Sequence, residues 1–588
     1  MVMGGKPVAL QPISDSWKGQ DVIHDLDISS FWHRIGEPSL PTGDGSFHWT
    51  AKSGPNGPAL MYSLIDLLAL KERPDLCKAI SFWLNDETRE SFETWLEAID
   101  ERLPKLAKVL KLKYKRNKLK LRKLSVKADK EAKSRVFAIL DYWSQSALKG
   151  LHQNLYKILR KLPADCTYDQ GRHLGKMAAL NSGSRFFSFD LSSATDRFPL
   201  QVQKRLLAKL VGLEAADQWE EIMVKHPFEY QGKSIYYGTG QPMGAHSSWP
   251  LFTLTHHLVV HTAALRCNLR EFEDYCILGD DVVIYHEDVA ATYVKLMTDL
   301  GVEISDSKSH VSKDTFEFAK RWFHQGTEVS PYPLMGLLEV QKSWPLLVEF
   351  LGHQVPMKGY LALVNFSDPV MSSLGEILTP YKRLRETLIK RIKIVSLFPN
   401  WWVNDMKDEA KVETWMNRLY SVVQINPPSV HPLDWLDWFT EQSYNKVREQ
   451  IAKRGTISVN KSMQWRNALY DIEGDGEDDQ SLTLSSEWIR SVPPLAVIRE
   501  MAIQSQTQLD LRGFTLDPDI FWTKWRTIEL MFLPKFNGIL PARKRDGMAK
   551  AQSFLALEIG QSVLPKSSEL EESQAPEPVD DAPFFFPF

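Results

Sequence analysis

Tyr275-Cys276-Ile277-Leu278-Gly279-Asp280-Asp281-Val282-Val283-Ile284-Tyr285 is the stretch that decides how this chain is read. Two apolar arms, Tyr275 to Leu278 and Val282 to Tyr285, flank Gly279-Asp280-Asp281. Gly-Asp between β-branched runs is turn chemistry, so a β-hairpin with two adjacent carboxylates at its tip is expected. Adjacent carboxylates repel, and neither is buried cheaply without a partner. A divalent cation is the natural partner. In most proteins a bare Gly-Asp-Asp is a turn and nothing more, so the metal reading depends on what stands upstream.

Upstream, Phe186-Phe187-Ser188-Phe189 is strand-like and runs into Asp190-Leu191-Ser192-Ser193-Ala194-Thr195-Asp196, where serines break it. Asp190 is expected at the strand's end, projecting into a cleft. There it can meet Asp280 from a neighbouring strand. Two carboxylates on separate strands can hold two Mg²⁺ ions for phosphoryl transfer. Asp196 lies beyond, on the turn, as an acceptor for a sugar hydroxyl or as a helix N-cap. Gly240-Gln241-Pro242-Met243-Gly244-Ala245-His246-Ser247-Ser248-Trp249-Pro250 then leads into an apolar helical stretch to Leu265. Ser248 is expected as its N-cap, with Pro250 in the first turn. A Gly-rich loop feeding a helix N-terminus suits a nucleotide or a nucleic-acid backbone.

Cations flank this set. Lys133 and Arg135 are two apart on an expected strand to Ile139, so they share a face able to hold a triphosphate. Lys308 follows an expected apolar strand over 301–304. Phe316-Glu317-Phe318-Ala319-Lys320-Arg321-Trp322 mixes aromatics and cations, as single-strand-binding surfaces do. Taken singly, each of these cations reads better as solvated surface charge.

The chain has 588 residues, 43% hydrophobic and 25% charged, which makes it a folded protein with several subdomains. Net charge is −3, but unevenly spread. Basic residues dominate from Lys105 to Arg135, including Lys115, Arg116, Arg122 and Lys123, whereas acids gather at 475–479 and 569–581. That asymmetry suggests a basic surface for a polyanion. The four cysteines form no CxxC pair, so a reducing compartment and no zinc site are expected. No apolar run reaches about 18 residues, so no membrane span is expected. Residues 1–30 resemble neither a signal peptide nor a transit peptide. Four segments are expected: an N-terminal region (1–127) helical over 60–70 and 82–99, a chemical core (128–330), a mostly helical region (331–560) and an acidic, disordered tail (561–588).

The motif order is specific. Basic strand, strand-end Asp, Gly/Ser loop with helix, Gly-Asp-Asp hairpin, Lys segment and Glu-Phe-Ala-Lys-Arg follow the order of motifs F, A, B, C, D and E of viral RNA-dependent RNA polymerases. The wording "DLSSATDR", "GQPMGAHSSWPLFTLTHH", "LGDDVVIY", "FEFAKRW" and "AKSGPNGPA" resembles the mitovirus polymerases, relatives of the narnaviruses. The resemblance covers residues 45–330 specifically and the C-terminal third only in general character. It implies an α+β right-hand fold of fingers, palm and thumb, with an antiparallel palm sheet and a helical thumb. It implies template-directed RNA synthesis from nucleoside triphosphates, with two Mg²⁺ ions (Mn²⁺ as a substitute), RNA template and product, and no obligate protein partner.

By position, the resemblance makes Asp190 and Asp280 the metal-binding aspartates and Asp281 the supporting one. Asp196 becomes the ribose-sensing acid. Ser247 or Ser248 and Thr255 become the nucleotide monitors, Lys133 and Arg135 the triphosphate cations, and Lys308 the proton donor. Lys115, Arg116, Lys320 and Arg321 are the expected RNA contacts. His256-His257 stands near the place where many positive-strand polymerases carry Asn. The family replicates in host mitochondria, with the cytoplasm as the alternative site. A reverse transcriptase shares the palm, but Leu278-Gly279 before the acids favours RNA synthesis. An RNA-binding protein on a decayed polymerase scaffold is disfavoured by intact Asp190, Asp280 and Asp281.

Overall fold

The structure, a computed structural model, describes residues 10–330 except 21, 49, 51, 110–111, 129–133 and 181–182, together with a few isolated positions further on. The expected helical region, the acidic tail and Lys133 therefore lie outside the described residues.

Among the described residues eleven strands form three sheets. β1 (Lys123–Ala128), β2 (Ser134–Ile139), β4 (Phe228–Tyr230) and β5 (Lys233–Ile235) make one, in the order β2-β1-β4-β5. The central sheet joins β3 (Phe186–Phe189), β6 (Tyr275–Leu278), β7 (Asp281–Ile284) and β8 (His310–Ser312) in the order β6-β7-β3-β8, antiparallel throughout. β9 (Thr315–Phe318), β10 (Arg321–His324) and β11 (Thr327–Glu328) form the third.

Side chains alternate across the pleat of the central sheet, and both of its faces are covered. Phe189, Ile277, Val282 and Ile284 join the main core with the helices Ser248–Arg266 and Glu287–Asp299. Phe186, Cys276, Val283 and Tyr285 face the other way, into a smaller cluster with Phe316, Phe318 and Phe323 of the β9–β10 hairpin. This explains why β6 and β7 read as unbroken apolar runs rather than as alternating ones. The Ser248–Arg266 helix is buried along almost its whole length, so it has no polar face and behaves as a central post.

Several expectations need correction. The helical pattern over 82–99 is split. One helix, Pro74–Trp83, ends before Leu84 and the next, Asp86–Val109, starts anew, with Asn85 Oδ1 accepting from the Thr88 amide at 2.9 Å. A boundary at 127 falls inside the β1–β2 hairpin, whose register runs from Lys123↔Ile139 to Ala128↔Ser134. The basic run does not lie wholly on the surface expected of it. Arg122 is fully buried, 3.9 Å from the Asp141 carboxylate and 3.2 Å from Ser144 Oγ, against the Phe228 ring. The strand expected over 301–304 is a single bridge, Leu191↔Ile304. That segment still clasps the end of β3, because Ser192 donates to Glu303 O and Ser305 to Asp190 O, both at 2.8 Å.

Candidate active site

The hairpin at the centre of the sequence forms, shifted by one residue. Leu278 pairs with Asp281, so the turn is Gly279-Asp280 alone and Asp281 opens β7. Gly279 takes φ 64°, a conformation that costs a residue with a Cβ. Space imposes the same choice. A Cβ on Gly279 would lie 2.0 Å from the outer edge of the Trp249 indole. Trp249 stands in the first turn of the Ser248–Arg266 helix.

β3 delivers the third carboxylate. Its register with β7 ends at Phe189↔Val282, and one residue further Asp190 leaves the strand level with Asp281. Asp190, Asp280 and Asp281 are close enough to act on one another. Burial first, then the charge of Asp190, raises Asp280 above the ordinary carboxylate range. Arg135 and Lys308 oppose that rise. Burial pushes Asp281 to about 7, with Asp280, Glu317 and Asp190 adding to the rise and Lys320 opposing it. Three acids kept in partial desolvation and mutual repulsion gain from nearby positive charge, which Arg135, Lys308 and Lys320 supply.

Lys308 sits on a turn before β8, and its ammonium pairs with the Asp190 carboxylate. Arg135 is exposed on β2 and within electrostatic reach of Asp280. Asp196 lies in the short helix Ala194–Arg197 rather than capping it, since Ser193 holds the cap position. Burial raises Asp196 to about 6. The 239–241 loop is docked beside it. Gln241 N donates to Thr195 O at 2.9 Å, and a Cβ on Gly240 would be 2.2 Å from that same oxygen.

The motif B serines differ from expectation. Ser247, not Ser248, is the cap residue, with φ 68°, and its hydroxyl makes no cap bond. It accepts instead from Trp219 Nε1 at 2.9 Å, while its amide donates to His152 Nδ1 at 3.0 Å. Ser248 is buried in the first helical turn, and its carbonyl accepts from Gln241 Nε2 at 2.9 Å. The fully buried Thr255 donates back to Leu251 O and Phe252 O, both at 2.8 Å. These side chains shape the loop from behind rather than lining the cleft.

The expected RNA contacts divide. Lys115 is exposed, and Arg116 forms an exposed pair with Asp100. Lys320 occupies a left-handed turn with Ala319, at φ 62° and 51°, and faces the charge of Asp281. Arg321 is committed elsewhere. Its Nε and Nη2 donate to both Glu328 oxygens, at 3.1 and 2.6 Å, in a largely buried bidentate pair. The sequence reading took no account of Glu317, whose charge reaches Asp281, or of Trp249. It placed His256 only by proximity. A Glu inside the Phe-Glu-Phe-Ala run carries a signal, because alternation along β9 turns it away from the buried Phe316 and Phe318.

A family profile described as "Mitovirus RNA-dependent RNA polymerase" matches residues 41–465. The chain belongs to that family. Over 202 residues this mitovirus polymerase family member is 41% identical to the RNA-directed RNA polymerase of Cryphonectria parasitica mitovirus 1. That alignment covers 34% of this chain and 25% of that polymerase, so the chain spans about a quarter of that relative's length. It is also 37% identical over 201 residues to an uncharacterized mitochondrial protein of Arabidopsis thaliana, covering 31% of this chain and 77% of the plant protein. Among solved structures, the RNA-dependent RNA polymerase of a human picobirnavirus superposes with a TM-score of 0.34 at 19% identity. The superposition covers 52% of this chain and 62% of that one.

Proposed function

We propose that this chain carries out template-directed RNA synthesis in the replication of a viral RNA genome, transferring nucleotidyl groups from nucleoside triphosphates to the 3′-hydroxyl of a growing RNA. One observation carries the reading. The ends of β3 and β7 place Asp190 against Asp280-Asp281, with Lys308 and Arg135 as the cations acting on them.

The donor set fits Mg²⁺. Among the described residues no three His, Cys, Asp or Glu side chains close into a ready-made cage. Mg²⁺ sites of polymerases use one or two carboxylates and complete their shell with water and substrate phosphates, and Asp190 and Asp280 supply those carboxylates. Two bound Mg²⁺ ions, or Mn²⁺ in their place, would activate the attacking hydroxyl and offset charge on the leaving oxygen. Asp281 contributes negative charge beside them. Lys308, paired with the Asp190 carboxylate, is placed to protonate the leaving pyrophosphate. Arg135, with Lys133, neutralises the triphosphate as charge shifts to the leaving group. Asp196, beside the 239–241 loop, accepts from the ribose.

In this reading the central sheet is a palm and the β1–β2 hairpin belongs to the fingers. Lys115, Arg116 and Lys320 contact RNA. The family membership and the plant mitochondrial relative support work inside a host mitochondrion. The test is RNA synthesis, primed or de novo, on a defined RNA with Mg²⁺ and ribonucleotides, with Asp280→Asn as control. Synthesis that survives Asp280→Asn, or a preference for deoxynucleotides, would reject the reading.

A further inference from the structure

Two residues outside the catalytic set join the backbones on which Asp190 and Asp280 hang. His256, in the middle of the Ser248–Arg266 helix, is fully buried. Its Nδ1 lies 2.7 Å from the Gly279 carbonyl, and its Nε2 lies 2.7 Å from the Tyr293 hydroxyl. A carbonyl can only accept, so Nδ1 carries the proton and donates to Gly279. Nε2 is then the acceptor, and the Tyr293 hydroxyl donates to it. Tyr293, on the helix Glu287–Asp299, stacks on Phe189 with centroids 5.6 Å apart and planes at 22°.

Phe189 immediately precedes Asp190, and Gly279 immediately precedes Asp280. The chain of contacts Phe189–Tyr293–His256–Gly279 therefore ties one catalytic strand end to the other from behind the sheet. The Trp249 ring, seven residues before His256 and on the same helix face, closes the other side of Gly279.

We propose that His256 and Tyr293 are positioning residues that set the spacing of the Asp190 and Asp280 carboxylates, and with it the affinity of the site for divalent cations. This rests on the reading of those aspartates as metal ligands. A β-hairpin turn of two residues has little stiffness of its own, and Gly279 adds freedom. The β3–β7 ladder stops at Phe189↔Val282, before either carboxylate. Beyond that point Asp190 is held by the 303–305 segment and Asp280 by its own hairpin, and His256 with Tyr293 links the two strand ends. Partners behind metal ligands change metal affinity or activity by about 10- to 100-fold when removed. A pair acting through one peptide should lie near the lower figure.

The experiment uses the full-length chain and reads cation binding directly, by Mn²⁺ electron paramagnetic resonance titration, beside the Mg²⁺ dependence of RNA synthesis. Tyr293→Phe keeps the ring on Phe189 and removes only the hydroxyl. His256→Asn keeps a donor near the Nδ1 position but loses the link to Tyr293. His256→Leu loses both. The expected result is about tenfold weaker Mn²⁺ binding in His256→Leu, with smaller losses in Tyr293→Phe and His256→Asn. The Mg²⁺ optimum should move upward in the same order, and KM for nucleotides at saturating Mg²⁺ should stay put. Purely structural damage would lower the melting temperature without ordering the three variants this way, and would overturn the proposal. So would parental Mn²⁺ affinity in Tyr293→Phe and His256→Asn. If the parental chain binds Mn²⁺ no better than Asp280→Asn does, the assignment of the aspartates fails instead.

Discussion

Gly279→Ala should be among the most damaging single-methyl changes in this chain. The new Cβ would start 2.0 Å from the Trp249 ring. An ordinary carbon–carbon contact is about 3.5–4.0 Å, so ring and turn must separate by about 1.5 Å. The left-handed φ of 64° adds about 1–2 kcal/mol for a residue with a Cβ, and forcing a methyl into a packed contact adds about 1–3 kcal/mol. Trp249 is 37% exposed, so its ring can swing only in part on a backbone anchored in a buried helix, and the two-residue turn that carries Asp280 takes up the rest. A displacement of about 1 Å at reacting groups can cost about 100-fold in rate. The expected outcome is RNA synthesis reduced about 100-fold, with a folded protein of lower melting temperature. Trp249→Ala clears the contact, so Gly279→Ala/Trp249→Ala should recover at least about tenfold over Gly279→Ala when each is referred to its own parent. Primer extension and thermal unfolding on the same four proteins complete the cycle. Gly279→Ala within about threefold of the parent would refute the steric reasoning, and so would a double variant no better than the single.

Asp190→Ala and Asp280→Ala should each abolish synthesis in Mg²⁺ while RNA binding, read by filter retention, stays near parental; residual turnover close to normal would remove them from the site. Asp281, at about 7, and the raised Asp280 make the folded state bind more protons than the unfolded chain between about pH 4 and pH 7. Their contribution to stability therefore falls as pH rises through that window, and Mg²⁺, which needs the ionised carboxylates, should raise the melting temperature more at pH 7.5 than at pH 6; an equal increment at both would contradict it. Arg321→Ala breaks a largely buried pair with Glu328 and should lower the melting temperature without changing the salt slope of RNA binding, whereas reversing Lys113, Lys115 and Lys118 should flatten that slope. Arg135→Ala should raise the KM for nucleotides and slow turnover with template binding unchanged, and a stability loss at constant KM would make Arg135 a brace of the fingers.

What the sequence revealed was local. Gly-Asp between apolar runs is turn chemistry wherever it occurs, and the Ser-rich break after Phe189 marks a strand end. The carboxylate geometry followed from those two signals. The register error came from the same place. Nothing local says whether a turn holds two residues or three, and the pairing of Leu278 with Asp281 is settled across the ladder. The cap error has a different cause. A serine before a helix is a good cap by propensity, but the Ser247 hydroxyl is claimed by Trp219, 28 positions earlier in the chain. Arg122 and Arg321 were counted as surface charge because sequence counts charge and not depth. Asp141 and Glu328 are the partners that draw them in.

A division of labour in the site follows from this. The groups proposed to meet substrate stand on strand ends and turns, where a few neighbouring residues specify them and a motif can name them. The groups that hold those ends at a fixed distance come from the interiors of two helices. They are spaced by whatever the packing needs, so they leave no short pattern. His256 and Tyr293 are 37 positions apart, and each looks like an ordinary core residue on its helix. Two adjacent histidines at the expected place of an Asn invite a reading in terms of ribose selection. Their side chains point away from that task. His256 is tied to Gly279 and Tyr293, and His257 is tied to the Tyr275 hydroxyl at 3.0 Å and Asp165 at 3.2 Å. Burial holds His256 down at about 4, so it stays neutral at working pH and keeps one nitrogen for each partner. A protonated ring would lose its acceptor for the Tyr293 hydroxyl, and the turn under Asp280 would lose its link to β3.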